Sequence, residues 1–89
     1  MSKIQKIKDM AKEGKVSVKA TEYLLWYMEQ QAIASKIRND AAQTPIQLNR
    51  NMVHAANVIL QALDDFDQDK IKMWEYDKKM IFAKDLLKA

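Results

Sequence analysis

The chain has 89 residues, of which 48% are hydrophobic and 30% charged, and these proportions exclude intrinsic disorder as the main state of this single domain. It contains one Gly and one Pro, too few for the many turns of an all-β fold, so the composition predicts an all-α protein. Cysteine is absent, which excludes disulfides and thiolate metal sites.

The formal net charge of +3 arises within residues 1–40, which hold eight Lys and Arg against five Asp and Glu. Residues 41–89 hold seven of each kind. Nucleic-acid-binding domains usually show a stronger basic bias. The N-terminal segment MSKIQKIKDMAKEGK is charged throughout, so we expect no signal peptide. No stretch reaches the roughly 18 uncharged apolar residues of a membrane span, so the simplest expectation is a cytoplasmic protein.

Two helices are predicted in the first half of the chain. Residues 2 to about 13 form an amphipathic pattern with Ile4 and Ile7 on one face, and Gly14 is predicted to end it. A second helix should begin near Ser17, a good N-cap, and end at about residue 39. Its middle carries a seam of Leu25, Met28, Ala32 and Ser35, with Tyr23, Trp26 and Tyr27 on other sides. Such a helix is expected to make contacts on more than one face.

A third helix is predicted from residue 45 to about 66. Thr44, Pro45 and Gln47 match an N-cap, a first helical residue and a capping box. Paired with the second helix, it predicts an antiparallel hairpin at the centre of a bundle of three to four helices.

A final helix is predicted over about residues 69–88. It should follow a break in the chain, with Asp65 or Asp67 as the residue that caps its N-terminus. The alternative is one long helix, in which Met52, Ile59, Phe66, Met73, Met80 and Leu87 recur every seven residues. The apolar residues of the final helix fall on two sides, which favours a contact with another subunit.

The most unusual stretch is residues 41–63, where Arg50 is the only charged side chain. On a helix this stretch has an aliphatic face and an opposite polar ribbon that consists of Gln47, Arg50, Asn51, His54, Asn57 and Gln61. One hypothesis is that the ribbon binds a partner's backbone or a small anionic ligand, with Tyr23, Trp26 or Tyr27 as a stacking surface for a base. The other is that it faces the second helix or a sister subunit and provides buried hydrogen bonds.

Catalytic and metal chemistry is not indicated by the sequence. The acidic run at residues 65–69 resembles a calcium loop, but Lys70 and Tyr76 stand where that loop requires Gly and Glu. His54 is the only histidine, and Gly14 alone cannot build a phosphate loop or a tight nucleophile turn. We therefore expect neither an enzyme nor a resident metal or cofactor.

Three functional hypotheses remain open. The leading one is a small interaction protein that self-associates and binds and blocks, or adapts, another macromolecule, as accessory and inhibitor proteins of phages and mobile elements do. The second is a nucleotide- or nucleic-acid-binding module that uses Arg50, His54 and the N-terminal lysines. The third is a structural subunit of a larger assembly.

Overall fold

Four α-helices make up the part of the chain that the structure, a computed structural model, describes, which is residues 2–88. They are α1 (Lys3–Lys12), α2 (Val18–Ala42), α3 (Ile46–Asp67) and α4 (Met73–Lys88), and there is no strand within residues 2–88. The predicted all-α bundle around an antiparallel hairpin is thereby confirmed. None of these four helices combines the length and apolar character needed to cross a membrane.

The helix boundaries confirm part of the predicted capping. The Ser17 hydroxyl accepts a hydrogen bond from the backbone N–H of Ala20 at 3.1 Å, as an N-cap should. The capping box predicted at the start of α3 is wrong. The Thr44 hydroxyl instead donates to the Asp40 carbonyl at 2.7 Å, and the cap residue of α3, Pro45, makes no side-chain cap bond. Thr44 thus closes the end of α2 because the loop leaves it beside the last carbonyls of that helix.

The predicted break between the last two helices is confirmed, and the single long helix is wrong. α3 ends at Asp67, and Asp69 adopts a left-handed conformation with φ 61°. The Lys70 N–H then donates to the Asp65 carbonyl at 2.8 Å, which completes a Schellman-type end. Neither Asp65 nor Asp67 caps α4, contrary to prediction, because α4 begins later, at Met73.

Alanines form the contacts between the three long helices. Ala34 of α2, Ala55 and Ala56 of α3, and Ala83 of α4 are fully buried around Ile59. Such small side chains let helix backbones approach closely, and α3 lies in the middle, with α2 and α4 each packed closely on it. The described chain is accordingly elongated and flat, with extents of 48 × 25 × 18 Å.

An aromatic cluster closes one end of the bundle. Trp26 packs edge-on against Phe66 and Tyr76 with ring centroids 5.5 and 5.3 Å apart, over buried Leu63. Tyr23 joins this cluster through Phe66, at 6.3 Å. The aromatic side of α2 therefore faces the core, and the predicted seam of Leu25, Met28, Ala32 and Ser35 faces solvent.

Gly14 ends α1 as predicted. Its φ of 71° is left-handed, and the Lys15 N–H donates to the Met10 carbonyl at 2.9 Å. A Cβ at Gly14 would meet no atom within 4 Å, so the cost of a side chain there comes from the backbone alone.

We therefore expect Gly14→Ala to lower the free energy of unfolding by about 1 kcal/mol, measured by urea denaturation. The exposed helical position Lys12 offers a control, because Lys12→Ala should change little. A Gly14→Ala protein more stable than the wild type would contradict a left-handed residue at this position.

Candidate protein-binding groove

Two helices form the walls of an open apolar groove. α2 and α4 run parallel, each antiparallel to α3, and they meet where the Tyr76 hydroxyl donates to the Gln30 side-chain carbonyl at 2.7 Å. From that bond towards the C-terminal ends of both helices, α2 and α4 flank a groove of about 460 Å³. It is lined by Gln30, Ile33, Lys36, Ile37, Asp40, Ile59, Met80, Lys84 and Leu87.

The groove has an apolar floor and a charged rim. Ile59 of α3 is only 2% exposed and forms the floor, with Ile37 and Met80 half-buried on the two walls. Lys36 and Lys84 are exposed and lie on opposite walls, while Asp40 is the acidic lining residue. The groove can therefore hold an apolar group and meet negative charge at its edges.

A second depression of about 240 Å³ adjoins the groove at Leu87. It lies between the start of α3 and the end of α4, and its lining includes Leu48, Met52 and Leu86. Leu48 is 56% exposed, although helical periodicity places it on the aliphatic face of α3, opposite the polar ribbon. The apolar surface thus continues past Leu87, which gives it an elongated form.

Comparisons with protein-family models, with curated proteins and with solved structures find no match to this chain.

The structure places the predicted polar ribbon on the outside of α3. Gln47, Arg50, His54, Asn57 and Gln61 are exposed, and Asn51 is half-buried at the second depression. On a helical wheel His54 lies about 140° from Ile59, so the ribbon and the groove occupy different faces of α3. Within this chain the ribbon does not face α2 as a source of buried hydrogen bonds.

Asn57, Gln61 and His54 of the ribbon make side-chain contacts with other residues of the described chain. The Arg38 guanidinium donates to the Asn57 side-chain carbonyl at 2.5 Å, and the Gln61 amide donates to Asp65 at 3.0 Å, both on the surface. The His54 ring stands edge-on to Phe82 of α4, with centroids 6.1 Å apart. The contacts of Asn57 and His54 join α3 to α2 and α4, whereas the Gln61 bond lies within α3, and the three do not converge on a common point.

Tyr23 and Tyr27 lie away from the ribbon. Both belong to the aromatic cluster near Phe66, about 24 Å along α3 from Arg50 at 1.5 Å per residue. Half-buried, they do not offer free faces beside Arg50 and His54. The structure therefore does not assemble these residues into one stacking and anion-binding site. Within residues 2–88 no three His, Asp or Glu side chains are grouped as metal ligands would be.

Sequence reasoning missed the groove. Its residues come from three helices, and several of them, such as Lys36, Asp40 and Lys84, resemble ordinary surface positions. The one signal available was that α2 and α4 carry more apolar positions than a single small core covers. That signal predicts a groove only when it is known that both helices pack on α3.

Proposed function

We propose that this protein is a non-enzymatic interaction protein that binds an amphipathic helix of another protein in the groove between α2 and α4. The groove itself carries the proposal, since α2, α3 and α4 leave open the position that a fourth helix would fill in a bundle. By covering that helix, the protein would block the partner or adapt it to a further contact.

The dimensions and continuity of the groove favour a helix over a compact ligand. From Gln30 to Asp40 the α2 wall is about 15 Å long, which is between two and three helical turns. The apolar surface continues past Leu87 into the second depression. A small-molecule site usually has a few rigidly placed polar groups, whereas Lys36 and Lys84 are long flexible side chains at the edge.

The lining and the rim of the groove together indicate the sequence pattern of the partner helix. The partner helix should carry apolar anchors at helical spacing that contact Ile33, Ile37 and Leu87. These anchors should be flanked by Asp or Glu side chains that can approach Lys36 and Lys84.

The test compares captures by matched variants of the full chain. Leu87→Asp places a charge in the groove, and Ile81→Asp places the same charge on the exposed outer side of α4. In quantitative pull-downs from the native host, we expect a partner retained by the wild type and Ile81→Asp but reduced at least tenfold with Leu87→Asp. A synthetic peptide covering its acidic amphipathic helix should then bind the purified protein.

Other outcomes would contradict the proposal. A partner lost with Arg50→Glu but kept with Leu87→Asp would move the binding surface to the polar ribbon. Captured nucleic acid whose binding weakens steeply with salt would favour the nucleic-acid hypothesis instead. Circular dichroism on each variant separates lost binding from lost folding.

A further inference from the structure

The outward face of α2 carries a continuous uncharged seam. Its positions alternate in spacing of three and four residues, the heptad pattern of helix-to-helix packing. The outer seam consists of Val18, Thr21, Leu25, Met28, Ala32, Ser35, Asn39 and Ala42. All eight residues are exposed in this chain, and the seam runs the length of α2, about 36 Å.

This exposure follows from the way α2 packs. Ala34 and Ala41 face α3 and are buried, and the outer seam lies on the opposite side of the helix. Leu25 and Met28 are consequently 55% exposed each. A solvent-facing seam of eight positions without one charge differs from the charged faces typical of surface helices.

The seam is complementary in size to itself. Its N-terminal half carries the larger side chains, including Val18, Leu25 and Met28, and its C-terminal half carries Ala32 and Ala42 among smaller ones. We propose that a second copy of this chain docks on the outer seam with its α2 antiparallel, related by a two-fold axis. Residues whose numbers sum to 60 then face each other. Val18 therefore faces Ala42, Leu25 faces Ser35 and Met28 faces Ala32, so each large side chain meets a small one.

The charges beside the seam complement each other in the same register. Glu22 and Lys36 flank the seam on one side, and in the antiparallel pair Glu22 of each copy lies beside Lys36 of the other. Glu29 lies near the axis and meets its own counterpart, which the two Glu22–Lys36 pairs offset. In a parallel pair Leu25 would face Leu25, and Glu22 would lie far from Lys36 of the second copy.

Complementary charge swaps test this arrangement with the full chain. Glu22→Lys and Lys36→Glu each replace two attractive pairs with two repulsive ones, so each should weaken self-association roughly tenfold or more in analytical ultracentrifugation. An equimolar mixture of the two variants should recover the affinity of the wild type. In the mixed dimer one copy has lysine at both positions and the other has glutamate at both, so both pairs are attractive again. Recovery in the mixture cannot arise from a variant that has merely unfolded.

The apolar contact and the orientation have separate readouts. Met28→Lys should abolish the dimer, whereas the control Ile81→Lys on the outer side of α4 should leave it intact, as should Leu87→Asp in the groove. Since the chain lacks cysteine, Val18→Cys gives a single spin-label site. Two labels should lie about 36 Å apart in the antiparallel dimer and within about 15 Å in a parallel one. A monomer at high concentration, a short label separation or unrestored affinity in the mixture would overturn the proposal.

Discussion

Asp67→Ala is expected to destabilise the protein by about 3 kcal/mol, one of the largest effects of any single substitution in this chain. Asp67 ends α3 with only 3% of its surface exposed. Its carboxylate accepts hydrogen bonds from the Ile4 N–H at 3.0 Å, from the Tyr23 hydroxyl at 2.8 Å, and from the Ser2 hydroxyl. A negative charge at the N-terminus of α1 is also favoured by the helix dipole.

The size of the effect comes from the three donors left without an acceptor. Alanine removes both carboxylate oxygens at a position that is only 3% exposed, where water replaces them poorly. For a domain of this size the loss should lower Tm by roughly 10–20 °C. Asp67→Asn keeps one acceptor oxygen for Ile4 and Tyr23, so this variant should cost about 1 kcal/mol.

Calorimetry measures the expected loss of stability, and hydrogen exchange measures which helix loses its protection first. The matched control is Asp64→Ala, one turn earlier on α3, where the exposed carboxylate accepts a hydrogen bond from the Gln68 side chain. It should change stability by less than about 0.5 kcal/mol. In Asp67→Ala the amides of α1 should lose protection before those of the other helices, since Asp67 ties α1 to α2 and α3. Equal Tm values for the two variants would contradict a structural role for this carboxylate.

Asp67 also illustrates where sequence reasoning fails for this fold. Thr44-Pro45, Ser17 and Gly14 are local signals, and they located the helix boundaries correctly even where the capping bond differs. The partners of Asp67 lie 44 to 65 residues away in the sequence, so no local pattern links them. By local pattern, Asp67 belongs to an acidic run that caps the following helix. In the structure it serves the first helix of the chain.

The two sides of α2 show a similar limit. Both its aromatic side and its aliphatic seam qualify as core by hydrophobicity. The structure buries the side with Ala34 and Ala41, because alanine allows the close approach of α3, and leaves Leu25 and Met28 outside. The polar ribbon could be placed on one face of α3 from the periodicity of the sequence alone. Its exposure, and the groove on another face, depend on where α2 and α4 pack.

Alkaline pH should unfold the protein through its three tyrosines. Burial in the aromatic cluster is the main cause that raises the pKa of Tyr23, with Asp67 adding to it, and burial likewise raises the pKa of Tyr27. The pKa of Tyr76 rises to about 12, first from burial and then from the charge of Asp77. Tyrosines in the unfolded chain ionise near pH 10. Folding therefore favours the neutral form of these tyrosines. Their contribution to the free energy of unfolding is fully present below about pH 10.

Above about pH 10 the unfolded chain releases tyrosine protons that the folded chain retains, so the free energy of unfolding falls as pH rises. For Tyr76 the loss covers the window from about pH 10 to 12, with a slope of about 1.4 kcal/mol per pH unit. Urea denaturation at several pH values across this window measures it, with tyrosinate absorbance following ionisation.

Tyr76→Phe isolates one of the three contributions. The variant loses the hydrogen bond to Gln30 and is less stable at every pH, so the slope rather than the absolute stability is the readout. Between about pH 10 and 12 the stability of the variant should fall less steeply than that of the wild type, by about 1.4 kcal/mol per pH unit. Every other side chain is the same in the two proteins, so the difference between the two slopes isolates Tyr76. Parallel curves would show that Tyr76 ionises equally easily in the folded and unfolded chains, which its burial against Trp26 and Leu63 argues against.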